Sequence, residues 1–204
     1  MKILKYILII LAVIIIIPVV IGLTSSTINY GAEINVNKPV EEAWAISKDE
    51  TKFDQWLEGF KSIELIEGER DQVGSKYKVV VNPGEGQEDF VMTETLVAMN
   101  EHENIEMHFD SDMMKFEQIM TYTEVDGGTT IKTESKVIPK SFGLRMMFGT
   151  MQMLGGAFDK QEAKNMNALK KLIDENTTDY SPVVEDSSAV MDSSAVEEPA
   201  ANEE

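Results

Sequence analysis

The chain contains no cysteine, only two histidines, and 18 basic residues against 36 acidic ones in 204. Without cysteine there is no disulfide, no thiol nucleophile and no lipid attachment at a lipoprotein cysteine. Redox compartment is therefore left open by this criterion. His102 falls in the turn-like stretch NEHEN and His108 on the polar side of an alternating run, so neither reads as a catalytic base. No Ser/His/Asp pattern stands at a recognisable spacing. The scarcity of Lys and Arg, with a net charge of −18, opposes nucleic-acid binding, which requires basic patches. No cofactor or metal motif is present, and none is assigned.

What is abundant is apolar sequence at one end and acid at the other. Ile7 to Leu23 is an almost unbroken apolar run preceded by Lys2, Lys5 and Tyr6. As a helix it reaches about 25 Å, near the lower limit for a membrane crossing. Ile3 and Leu4 extend it, with the lysines snorkelling. Residues 1–24 are thus expected to form a cytoplasmic stub and a retained single-pass anchor, with residues 3–23 in the bilayer. A cleaved signal peptide is the competing reading, although its apolar region is usually shorter. Lys2 and Lys5 precede the run and the next basic residue is Lys38, which predicts a cytoplasmic N-terminus and an extracytoplasmic main domain. From Glu175 onward there is no Lys or Arg. The nine acidic residues there, with the repeated unit DSSAV, predict a disordered acidic tail over 176–204.

Between them, residues 25–175 suffice for one core. Thr27–Val36 alternates as a strand. Pro39, Glu41 and Glu42 then open a short helix, on which Val40, Ala43, Trp44 and Ser47 share a face. Six strand-like runs follow, bounded by Gly68, Pro83-Gly84, Asn100, Asp112 and Gly127-Gly128. Within them Phe90, Met92, Glu94 and Leu96 share one face, as do Ile105, Met107 and Phe109, and Phe116, Gln118, Met120 and Tyr122. These describe an antiparallel meander with one dry face. After Pro139 the period becomes helical: Met147, Met151, Leu154 and Phe158 fall within about 60° on a wheel. Met166, Leu169, Leu172 and Ile173 continue that phase, predicting one long helix through Gly155-Gly156. The expected fold is α+β, a curved antiparallel sheet of about seven strands gripping a long C-terminal helix, plus one N-terminal transmembrane helix.

That order resembles the START-like (SRPBCC, polyketide cyclase/dehydrase-like) superfamily and its helix-grip fold. The resemblance covers about residues 27–174. It is carried by INVNKPVEEAWAISKDETKFDQW, with Pro39, Glu42, Trp44, Asp49 and Trp56, by IEGERDQVGSKYKV, and by GGTTIKTESKVIP. It implies a cavity between sheet and C-terminal helix, but no one activity, since such folds host carriers, cyclases and receptors.

Four methionines in LRMMFGTMQMLGGAF raise the question of a soft-metal site, a membrane-touching patch, ordinary filled core, or one wall of an apolar pocket. On one helix Met146 and Met153 point more than about 100° away from Met147 and Met151, so the thioethers do not converge. With Met92, Met107 and Met120 on the dry strand faces, they better suit an adaptable apolar pocket. The expected ligand-binding residues are Trp56, Met92, Glu94, Met107, Phe109, Gln118, Met120, Tyr122, Met147, Met151 and Phe158. The expected ligand is a hydrophobic small molecule or lipid. The alternatives are a cyclase- or dehydrase-like enzyme with Glu94 or Tyr122 as acid/base, and a pocketless protein-interaction module whose partner is unknown.

Overall fold

The structure, a computed structural model, describes residues 2–82, 84, 86–178 and 180. Helix α1 (Lys2–Thr24) leads into β1 (Ile28–Val36), followed by α2 (Val40–Lys48), a 3-10 turn (Glu50–Lys52) and α3 (Phe53–Trp56). The meander is β2 (Phe60–Glu67), β3 (Lys76–Val81), β4 (Phe90–Asn100), β5 (Asn104–Asp110), β6 (Met114–Val125) and β7 (Gly128–Pro139). Helices α4 (Phe142–Gly155) and α5 (Ala157–Asp174) complete it.

All seven strands form one antiparallel sheet in the order β1-β7-β6-β5-β4-β3-β2. Alternation sets the register: Met107 faces Gln118, Phe109 faces Phe116 and Tyr122 faces Ile131, so one face is continuous from strand to strand. The register shifts between Leu96 and Ala98, and twice in β2. Such irregularities bend strands and help the sheet to curve.

The dry face is only half filled. Val36, Trp44, Ile46, Ile131, Met166, Leu169 and Ile173 form a fully buried cluster where α2 and α5 cross β1, β6 and β7. A smaller cluster of Ile28, Val137 and Phe148 lies under α4. Folded contacts continue past Asp174: Asn176 Nδ2 donates to Glu42 Oε1 (2.9 Å) and the Tyr180 hydroxyl to Asp49 Oδ2 (2.9 Å). The tail from residue 181 lies outside the described residues.

The single long C-terminal helix is corrected to two. Gly156 adopts the left-handed conformation (φ +56°), which glycine enters without steric cost, and its N–H donates to the Gln152 carbonyl at 2.7 Å. The Gln152 side chain then serves the new helix, accepting from Phe158 N (3.0 Å) and donating to Asp159 Oδ2 (2.5 Å). Helix α5 covers the sheet. Helix α4 turns aside and packs along the end of α1, so Met147 and Met151 are exposed, with Met153 65% and Leu154 72% accessible.

Candidate functional site

The unfilled half of the dry face is a cavity of about 270 Å³ between β2–β6, α3 and the first turns of α5. The sheet provides Val79 and Val81 of β3, Met92, Glu94 and Leu96 of β4, Ile105, Met107 and Phe109 of β5, and Phe116, Gln118, Met120 and Tyr122 of β6. Trp56 and Phe53 close it from α3, and Phe158 and Glu162 from α5. Nine of the eleven expected residues meet here: Trp56, Met92, Glu94, Met107, Phe109, Gln118, Met120, Tyr122 and Phe158. Met147 and Met151 do not, because the break at Gly156 redirects their helix. Neither histidine lines the cavity.

Its walls are mostly apolar and aromatic. Phe109 stacks on Phe116 (centroids 5.1 Å apart), Tyr30 packs against Phe158 (5.4 Å), and Phe53 meets Trp56 edge-on (6.0 Å). Trp56 is 8% exposed, and its indole Nε1 is buried with no hydrogen-bond partner among the described residues.

Two carboxyls interrupt the apolar lining. Glu94 is surrounded by protein yet borders the empty volume. Burial, aided by the nearby Glu50 carboxylate, pushes it up to about 7. Glu162 sits with Gln118, Ser135 and Tyr30: Gln118 Nε2 donates to Glu162 Oε1 (3.3 Å) and to Ser135 Oγ (3.1 Å). Burial raises the Glu162 carboxyl, partly opposed by the Thr133 hydroxyl, and raises the Tyr30 phenol through burial and the neighbouring Glu162. Tyr122 is also held above the usual tyrosine range by burial.

The other acids at the rim have cationic partners: Glu50 with Arg70, Glu58 with Lys164, and Asp71 with Lys48 at 2.9 Å. Glu94 and Glu162 have no ion-pair partner among the described residues. Among the described residues, Lys48 is the only basic one at the cavity.

Sequence reasoning passed over Glu162, Tyr30 and the β3 side chains. Glu162 stands four and seven residues before Met166 and Leu169, which was the signal for an inward-facing acid. Tyr77, Val79 and Val81 alternate in register with the residues that were selected.

A family profile described as polyketide cyclase / dehydrase and lipid transport matches residues 27–174. No curated protein matches the chain. A protein from Chromobacterium violaceum is similar in structure at 15% identity (TM-score 0.56), spanning 74% of this chain and 99% of its own. One of unknown function from Staphylococcus aureus aligns at 13% (0.58; 74% and 96%). The di-domain ARO/CYC protein BexL of the BE-7585A biosynthetic pathway aligns at 13% (0.58; 78% and 54%). At these identities the structures speak to the fold alone. The sheet, the gripped helix and the match over residues 27–174 agree, and the chain belongs to the polyketide cyclase/dehydrase and lipid transport family.

Proposed function

We propose that this protein is a membrane-anchored binder of a hydrophobic small molecule or lipid, held between the sheet and α5. The carrying observation is the 270 Å³ apolar cavity. An engineered cavity of about 150 Å³ already admits benzene. Each methylene buried contributes about 0.8 kcal/mol, so a modest apolar ligand needs few polar contacts.

The charge pattern narrows the class. A carboxylate or phosphate entering the cavity meets Glu94 and Glu162, with only the already paired Lys48 as a basic lining residue. Burying an uncompensated charge is costly, so the ligand is neutral or carries an amine, and its hydroxyl, carbonyl or amine group faces Glu94 or Glu162. Helix α1 supports the anchor. It is long and apolar enough to cross a membrane, with 11% of its most apolar stretch buried against the rest of the chain. Lys2 and Lys5 ahead of it support an orientation with the cavity on the extracytoplasmic side.

The test is native mass spectrometry of the full chain, extracted from its membrane in polymer-bounded lipid discs without detergent. A discrete extra mass that leaves on organic extraction supports the reading. A bare chain that takes up nothing from neutral, cationic or anionic lipid fractions overturns it.

A second reading has its own observation. A cavity carboxyl that changes protonation near neutrality is suited to general acid/base catalysis. In that case Glu94→Gln abolishes turnover of the bound molecule while leaving its binding intact. Two of the similar structures are di-domain ARO/CYC proteins, which makes cyclisation substrates the first to try.

A further inference from the structure

Helix α4 plays no part in the cavity, yet it is the most apolar exposed element outside α1. It presents Phe142, Met147, Met151, Met153 and Leu154 at 44–72% exposure. Isolated exposed apolar side chains need no explanation, but five of them on one 14-residue helix mark a contact surface.

Three observations say what covers it. The first is position. Helix α4 packs against the last third of α1 through two glycines: a Cβ on Gly149 would come within 2.5 Å of Ile21 Cγ2, and one on Gly22 within 2.6 Å of Met146 Cγ. The groove between the helices runs from Thr24 back to Ile16 and Ile17, with Gly149, Gln152 and Met153 as its opposite wall. Ile16 lies about 12 Å along the helix axis from Thr24. An element beside Ile16 and Ile17 therefore reaches below the end of the span, where water is absent and methionine and leucine are at home.

The second observation is charge. In a chain with twice as many acidic as basic residues, residues 135–158 contain no Asp or Glu. Lys136 and Lys140 precede α4 and are paired with Glu117 and Asp110, which leaves Arg145 as the one charged residue within the helix. Arg145 makes no ion pair among the described residues, and its Nε is buried without a hydrogen-bond partner. A cationic helix with an apolar face and no acids suits a headgroup layer.

The third is flexibility of composition. Methionine side chains are unbranched and adapt to irregular surroundings, as a lipid boundary requires.

We infer that α4 is an interfacial helix whose Met147, Met151, Met153 and Leu154 are immersed in the lipid boundary beside α1, with Arg145 directed to lipid phosphate. This rests on reading α1 as a membrane span. It gives α1 a second task, since the seam at Gly22 and Gly149 fixes the orientation of the domain on the bilayer. Phe158 follows α4 after one turn and lines the cavity, so the immersed helix leads directly to the wall of the binding site.

The absence of cysteine makes the test direct. Single cysteines at Met153, Met147, Ile10 and Glu64 in the full chain are labelled with an environment-sensitive nitrobenzoxadiazole dye. The proteins are reconstituted in vesicles of phosphatidylcholine with a minority of phosphatidylglycerol. The proposal expects blue-shifted emission and quenching by spin-labelled acyl chains at 153 and 147 as at Ile10, and solvent-like emission at Glu64. Quenching at Ile10 with solvent-like emission at 153 and 147 overturns it while leaving the anchor intact. No quenching at Ile10 removes the anchor, and the proposal with it. Blue-shifted emission at 153 without lipid quenching identifies a protein surface, such as a second copy, as the occupant and also overturns it. An Arg145→Gln chain should lose part of its dependence on phosphatidylglycerol while α1 stays inserted. An unchanged dependence removes the phosphate contact.

Discussion

The hydroxyl of Tyr122 on β6 lies 2.5 Å from Ser47 Oγ on α2, with both side chains buried. Ser47 Oγ also lies 2.9 Å from the Trp44 carbonyl and the Tyr122 hydroxyl 2.8 Å from Met120 Sδ, so the two hydroxyl protons serve two of these three contacts at a time. The Trp44 and Tyr122 rings meet edge-on at 5.0 Å. This contact joins the short helix to the sheet across 75 residues of sequence. Tyr122→Phe keeps the ring and removes the hydroxyl. It should cost about 1 kcal/mol, or about 2–4 °C in Tm for a domain of this size, measured by calorimetry. An unchanged Tm would mean that the hydroxyl pair adds nothing to the fold.

Glu94 should make the fold weaken with rising pH. Its folded-state value of about 7 lies above its ordinary 4.5. The protonated form is favoured in the fold, and its contribution is full below about 4.5 and lost as pH rises through 7. Glu162 is shifted in the same direction, so the readout is the difference between parent and Glu94→Gln. The variant should match the parent at pH 5 and exceed it at pH 8 by on the order of 2–3 kcal/mol in urea unfolding. Equal stabilities at pH 8 would place Glu94 in a water-like environment.

Filling the cavity distinguishes a binding site from a loosely packed core. Met107→Phe adds a ring to a wall that borders empty volume. It should leave stability unchanged or raise it by up to about 1 kcal/mol, and displace whatever mass the parent retains. In a core with no room the same change costs about 1–3 kcal/mol. Thermal unfolding together with native mass spectrometry reads both.

Adjacent glycines should respond in opposite directions. Gly156 has φ +56°, whereas Gly155 ends α4, and a Cβ there would meet nothing within 4 Å. Gly156→Ala should destabilise by about 1–2 kcal/mol. Gly155→Ala should be neutral or stabilise by up to about 1 kcal/mol. Similar Tm shifts for the two would mean that α4 and α5 are not separated at Gly156.

Most of the sheet could be read in advance because strand alternation and turn residues are local signals. Glu94, Met107 and Gln118 fell on the inner face by counting in twos, and the antiparallel register carried that face across neighbouring strands. The helix break was less visible. Met147, Met151, Leu154 and Phe158 keep one phase through Gly155-Gly156, so periodicity carries no mark of the turn. Periodicity also reports an apolar face without saying what it faces. Met147 and Phe158 look equivalent on a wheel, yet one is exposed on α4 and the other lines the cavity. Glu162 was missed for the opposite reason: a charged residue on a helix is ordinarily assigned to water, and only its spacing to Met166 and Leu169 says otherwise.

The strand order has a consequence during synthesis. Strand β1 is made first, directly after α1, yet its pairing partner in the sheet is β7, with Ile28 opposite Val137 and Val36 opposite Thr129. At about 5–20 residues per second, β1 waits on the order of 5–20 s for its partner to leave the ribosome. Throughout that interval its backbone edge is unpaired and tethered beside α1. The fold is therefore closed by its last strand, and a nascent chain stopped before residue 128 has an unpaired first strand whatever the state of the rest.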